Sequence, residues 1–292
     1  MILAVCADKG SPGVTTLATA LGVVWPVDRV VLEADPSGGD LAFRLRSPRG
    51  QFLDPNRSVL DVAADAREGL PPGALARYAE PTSLGVPVLK GRLSPESFAP
   101  MARLWPQVAA EAHSWPGTVI ADLGRLQPGN AAGPVAGQAT AVLLVTRLGV
   151  EALYRVRERA GELAARLGQG HHGRSPLAVV VVCPPRNHRD AMRQVQQVLA
   201  VEGPTSTIPV AGFVAEDARG VEALWSAEPS RRLLGTELMR SVHGLAERLL
   251  GWWPQFHAGA PAHWSGAPAP PAPPAGSHNS THPADPVRGG AQ

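Results

Sequence analysis

Six short runs of aliphatic and β-branched residues punctuate this chain: 2–6 "ILAVC", 29–33 "RVVLE", 118–122 "TVIAD", 140–146 "TAVLLVT", 177–183 "LAVVVVC" and 208–214 "IPVAGFV". Each is nearly continuous in its hydrophobicity. A strand with one wet face alternates apolar and polar residues, whereas a strand covered on both faces need not. The runs therefore read as buried strands of a parallel sheet. Parallel neighbours need long crossovers, and helices are expected between most of the runs. Residues 15–24, 96–112, 149–167, 188–201, 217–227 and 235–250 supply them, and Ser58 with Asp61 forms a capping pair for a helix over 59–67. The expected fold class is α/β: a doubly wound, mostly parallel sheet with helices on both faces. No internal repeat is present.

The chain has 292 residues, 44% of them hydrophobic, enough to bury one large core or two smaller ones. From about Ala258 the composition changes to "APAHWSGAPAPPAPPAGSHNSTHPADPVRGGAQ". Few of those residues could form a core, so residues 1–257 are expected to be the folded domain and 258–292 a disordered Pro/Ala/Gly-rich tail. No apolar run reaches the ~20 residues needed to span a bilayer. The opening "MILAVCADKG" has no basic leader and no small-residue cleavage site. Cys6 and Cys183 lie in strand-like runs and are expected to be buried small side chains, not a disulfide or a metal pair. The expected location is the cytoplasm. A formal net charge of +2 is too mild to imply nucleic-acid binding by itself.

Between the first strand and the first helix lies "ADKGSPGVTTLA", residues 7–18. Gly10 and Gly13 permit a tight turn, and the helix N-terminus behind it offers free N–H groups and a favourable dipole to an anion. In a phosphate-binding loop a lysine grips the terminal phosphates, and the next Ser or Thr hydroxyl ligates Mg²⁺. Thr15 stands at the Mg²⁺ position, but Val14 stands where that lysine would be. Losing such a contact removes roughly 1.5–3 kcal/mol, or about 10- to 150-fold in affinity. Pro12 has no N–H, so a second donor of the cradle is missing. The chain holds only two lysines, Lys9 and Lys90, and Lys9 falls inside this turn.

"KGSPGVTT" resembles the deviant phosphate loop KGGxGKTT of the MinD/ParA family, aligned at Lys9, Gly10, Gly13, Thr15 and Thr16. "VLEADPSGGDLA", residues 31–42, resembles the DxDxxxGDLA switch segment, especially that of the CpaE/TadZ branch. Glu33 replaces the first acid, while Asp35, Gly39, Asp40, Leu41 and Ala42 match. "TVIADLG", with Asp122 and Gly124, resembles the Walker B strand. "AVLLVTRLGVEAL" resembles the next strand and helix, and "IPVAGFVAEDARGVEALW" the late strand and base-contacting loop. The matches follow family order over roughly residues 1–250. CpaE/TadZ-like proteins often carry a small residue in place of the second loop lysine, as Val14 does here. The family's Asn-Arg adenine contact is replaced by Cys183-Pro184-Pro185.

The resemblance implies weak binding of ATP or ADP with Mg²⁺. Lys9, Gly10, Ser11, Pro12, Gly13, Val14, Thr15 and Thr16 would surround the phosphates, and Pro184, Glu216 and Asp217 would face the base. Lys9 would reach across a nucleotide-linked homodimer to the partner's phosphates. Thr15, Asp35 and Asp122 form the implied Mg²⁺ set, and Asp35 and Lys9 would carry any catalysis. The residues themselves agree in part: Pro36, Gly38 and Gly39 suit a ligand-facing loop, and Asp122 ends a strand where ligands of parallel sheets bind. Asp40 either caps the next helix or acts in the switch.

Leu238, Val242, Leu245 and Leu249 share one face of the last helix, which reads as core packing. The other reading makes Trp252, Trp253 and Phe256 a peripheral membrane or partner anchor. Arginines at 147–166, 186–193 and 231–248 alternate with glutamates, as a solvated surface does. His171 and His172 lie in a Gly-rich stretch without metal-ligand spacing. The expected function is a dimerising localisation or assembly factor for a pilus or secretion machine, with weak or absent ATP hydrolysis. The alternatives are a nucleotide-independent scaffold and a DNA-partition ATPase, against which the mild charge and the missing lysine count.

Overall fold

Ile2, Ala4 and Cys6 turn to one face of the first strand and Leu3, Val5 and Ala7 to the other, and all six are buried. That two-sided burial explains why the run does not alternate. The computed structural model describes residues 1–257 except 11, 55–56, 66–69, 71–72, 92–99, 169–175, 202 and 227–230. The strands are β1 (Ile2–Ala7), β2 (Arg29–Glu33), β3 (Val88–Leu89), β4 (Thr118–Arg125), β5 (Ala141–Arg147), β6 (Leu177–Cys183) and β7 (Val210–Ala215). They form one all-parallel sheet in the order β3-β2-β4-β1-β5-β6-β7. Val5 lies opposite Asp122, and Glu33 also lies opposite Asp122, so the carboxyl ends of β1, β4 and β2 adjoin.

The helices are α1 (Val14–Val24), α2 (Leu41–Arg44), α3 (Val59–Asp65), α4 (Ala74–Tyr78), α5 (Trp105–Ser114), α6 (Gly133–Gly137), α7 (Val150–Leu167), α8 (His188–Leu199), α9 (Ala218–Trp225), α10 (Arg231–Leu234) and α11 (Glu237–Trp252). One core layer joins the sheet to Trp105 and Val108 of α5, Val156 and Ala160 of α7, and Val195 of α8. The opposite layer joins it to Leu17 and Leu21 of α1 and to α11. The doubly wound expectation holds. The expected helix over 96–112 is instead a short 3₁₀ turn, Pro100–Arg103, followed by α5, which begins at Trp105 with a proline in its first turn. The start of that expected helix lies outside the described residues. At α3 the Ser58 N–H donates to Asp61 Oδ2 at 2.7 Å, and the Leu60 N–H donates to Ser58 Oγ at 3.3 Å, which is the expected cap.

Strand β3 was not expected. It is two residues long and follows Pro87, so no hydrophobic run announces it. It is held by Lys90, which is 2% exposed and pairs with Glu80 while donating to the Asp54 carbonyl. Cys6 and Cys183 are free and buried, and burial pushes their thiols up to about 12 and about 11.

Leu238, Val242, Leu245 and Leu249 are buried, as their spacing predicts. The anchor reading of the residues that follow is overturned. Phe256 is fully buried, Trp252 and Trp253 nearly so, and Phe256 packs edge-on against Trp25 at 5.6 Å. The aromatic cluster closes the α1–α11 layer and offers nothing to a bilayer. Among the described residues, no helix is long and apolar enough to cross a membrane. The expected tail at 258–292 and the pair His171 and His172 lie outside the described residues.

Candidate functional site

Two glycines shape the turn after β1. Gly10 and Gly13 have φ of 86° and 97°, and neither would meet an atom within 4 Å if it carried a Cβ. Backbone conformation, not crowding, demands glycine there. Gly13 opens α1 without any side-chain cap, and the first helical bond runs from the Leu17 N–H to the Gly13 carbonyl at 2.9 Å. The N–H groups of the first turn are thus left for a ligand or water. Val14 is 4% exposed and belongs to the core layer of α1, so no cation stands at that position. Lys9 is exposed and, among the described residues, makes no ion pair. Ser11 lies outside the described residues. Beside the turn, Asp8 receives Arg159 at 2.8 Å and Arg155 at 3.8 Å, which ties the end of β1 to α7. A cleft of about 410 Å³ between the turn and α7 brings Lys9, Gly10 and Pro12 together with Thr146, Gly149 and Arg155.

Behind the turn three acids converge. Asp122 is 1% exposed, its Oδ1 accepts from the Gly124 N–H at 3.0 Å, and its Oδ2 is buried without a hydrogen-bond partner of ordinary length. Burial pushes its carboxyl up to about 7. The Thr15 hydroxyl and the Gly124 N–H pull it down, while the charges of Glu33 and Asp35 push it further up. Asp35 folds into a tight turn, accepting from the Ser37 N–H at 2.8 Å. Its carboxylate lies over Gly124, where a Cβ would come within 2.0 Å of Oδ2. The structure therefore brings Thr15, Asp35 and Asp122 together.

Glu33 stood in the sequence only as a replacement for the switch segment's first acid, not as a site residue. Its buried carboxylate accepts from the N–H groups of Asp40 at 2.8 Å, Leu41 at 3.0 Å and Gly91 at 2.9 Å. Burial raises its pKa, and these three amides oppose that rise. Gly39 must be glycine, because a Cβ would fall 2.3 Å from Glu33 Oε2. Glu33 thus ties the far end of the 35–41 loop and the segment just after β3 to the end of β2, a contact spanning up to 58 residues in sequence. The one local signal is a buried acid following the apolar run Val30–Leu32. Glu33→Ala would leave three amides unpaired at a cost of about 3 kcal/mol. Urea unfolding checks the magnitude, and faster amide exchange at Asp40, Leu41 and Gly91 identifies the cause.

Asp40 neither caps α2 through its side chain nor joins the cluster; it pairs with Arg44 at 2.8 Å in solvent. The residues expected to face a base stand at the ends of β6 and β7, with β5 between them and β1. Pro184 is exposed. Glu216 pairs with Arg147 at 3.4 Å, and its N–H donates to the Cys183 carbonyl. Asp217 is occupied with structure: it caps α9 through the Gly220 N–H at 2.9 Å and receives the Leu238 N–H at 3.2 Å. Burial opposes its charge, but amides of Gly220, Leu238, Glu237 and Arg219 hold its carboxyl below the usual range.

Among the described residues no cluster of three His, Cys, Asp or Glu side chains encloses a metal. Mg²⁺ does not need one. It is bound through one or two carboxylates, waters and substrate phosphates. Asp122, buried beside the Thr15 hydroxyl, fits that kind of site.

No family model matches the chain, and no curated protein matches it. Solved structures do. MinD from Pyrococcus horikoshii, complexed with Mg-ADP, is 19% identical with a TM-score of 0.63, over 85% of this chain and 95% of that one. A variant of McdA from Cyanothece in complex with ATP is 17% identical with a TM-score of 0.59, over 85% and 95% of the two chains. A ParA family ATPase from Chlorobium tepidum is 15% identical with a TM-score of 0.58, over 84% and 98%. The seven-stranded parallel sheet and its helices therefore share the fold of these MinD and ParA-family ATPase structures.

Proposed function

We propose that this chain binds ATP or ADP weakly with Mg²⁺ at the glycine turn and uses the nucleotide to control a homodimer. The observation that carries the reading is the assembly of Thr15, Asp35 and Asp122 behind an uncapped helix N-terminus. In this reading the Thr15 hydroxyl holds Mg²⁺, with Asp35 and Asp122 holding its waters. The ion, when bound, would bridge and neutralise the phosphates. Lys9, exposed at the front of the turn, supplies charge to phosphates of a second copy. Val14 contributes none to a transferring phosphoryl group, so hydrolysis is slow or absent. Such a cycle suits a cytoplasmic localisation or assembly factor of the CpaE/TadZ kind, serving a pilus or secretion machine.

Titration with labelled ATP and Mg²⁺ tests this. Binding is expected in the range of about 0.1–1 mM, weakened in Lys9→Ala under dimerising conditions. Light scattering with and without ATP reports the dimer. A second reading, a scaffold indifferent to nucleotide, is favoured by the burial of Val14 and the missing donor at Pro12. It is the reading that survives if neither ATP nor ADP binds at millimolar concentration.

A further inference from the structure

Strand β7 is the sheet edge opposite β3, and its outer side opens into a groove of about 540 Å³ between α8 and α11. The Glu216 N–H donates inward to Cys183, so in a parallel ladder Phe213 and Ala215 turn their N–H groups outward. A register shift between Val210 and Gly212 turns the Val210 N–H outward too, and two outward donors on this edge are taken by side chains: Val210 by Gln196 Oε1 at 3.1 Å and Ala215 by Ser241 Oγ at 3.0 Å. These plugs limit edge pairing, as edge strands require. They leave one window of main chain at Phe213. Its ring is stacked under His188 at 4.4 Å, which keeps that wall of the groove in place.

The groove is charged as well as open. Arg189 of α8 and Arg248 of α11 line it, both exposed, and neither makes an ion pair among the described residues. The acid in the groove, Glu237, is already paired with Arg240. Gly244 supplies an independent sign. It interrupts α11 on the groove side, where a Cβ would meet nothing within 4 Å. A glycine inside a helix weakens it relative to alanine, and packing among the described residues gives no reason for one here. Its effect is to keep the groove deep.

We propose that this groove docks an acidic extended segment of a partner protein. The segment pairs its main chain with Phe213 as a short added strand and sets its carboxylates against Arg189 and Arg248. Nucleic acid would also be drawn to arginines, but an unpaired strand edge as floor favours a peptide, whose main chain can pair with it. The inference does not depend on nucleotide binding at the turn.

The test uses the full chain and a fluorescein-labelled peptide of alternating Glu and Val, about eight residues long, with a Lys-Val counterpart as control. Anisotropy at low salt is expected to give a Kd on the order of 100 µM for the acidic peptide and no binding for the basic one. Arg189→Glu with Arg248→Glu should weaken binding at least about tenfold. Gly244→Trp, whose Cβ would enter open space on the groove side, should abolish binding while circular dichroism stays native. The Phe213 amide should exchange more slowly in the complex. Equal binding of both peptides, indifference to Gly244→Trp in a folded protein, or binding of single-stranded DNA in place of the acidic peptide would each overturn the proposal.

Discussion

Replacing Asp122 with asparagine is expected to stabilise this protein at about pH 8 and to leave its stability unchanged near pH 4. The folded state raises the Asp122 carboxyl from 3.8 to about 7, chiefly by burial. An acid so raised holds its proton more readily folded than unfolded. That linkage favours the fold fully below the unfolded value of 3.8 and is lost as the pH rises through about 7. Above that point the native chain carries a buried charge at a cost on the order of 4 kcal/mol relative to low pH. Asp122→Asn has no such charge, so the two proteins should diverge with rising pH. Urea unfolding at the two pH values measures it. A pH-independent difference, or a less stable variant at pH 8, would show that the carboxylate is satisfied where it stands. If Mg²⁺ and nucleotide bind as proposed, they should narrow the gap at pH 8, because a cation favours the charged carboxylate.

Phe256→Ala should cost about 3–5 kcal/mol, the usual loss for truncating a buried phenylalanine. Phe256 has no exposed surface and loses its edge-to-face contact with Trp25. Thermal unfolding gives the magnitude. Co-sedimentation with anionic vesicles supplies the contrast: as core, the aromatic cluster predicts no change, whereas an anchor would predict lost binding and little change in stability. A variant that unfolds like the parent would contradict the packing.

The sheet was legible because both its faces are buried, which writes strands such as Leu177–Cys183 as unbroken apolar runs. Strand β3 escaped because two residues beside a proline carry no periodicity; Lys90 and the Glu33–Gly91 bond fix it through contacts distant in sequence. In the site, Thr15, Asp35 and Asp122 were visible through ordered resemblance, and the sheet brings them together. Glu33 was visible only as a departure from the family pattern. Its three amide partners come from two separate loops, and nothing local connects them. Asp217 shows the converse: a residue in a recognisable segment whose carboxylate is taken up by capping α9. The final aromatics were ambiguous because tryptophans suit an interface and a core alike, and only Trp25, at the end of α1, decides between them.

The contrast between the two lysines has a practical side. Lys90 is sealed against Glu80 and the Asp54 carbonyl, and every other long basic side chain is an arginine. Of the two lysines, only Lys9, at the front of the glycine turn, is open to acylation of its ε-amine in the folded protein. A fluorophore or a short bifunctional linker installed there without mutagenesis would read out that turn and test whether two copies bring their turns face to face, as proposed.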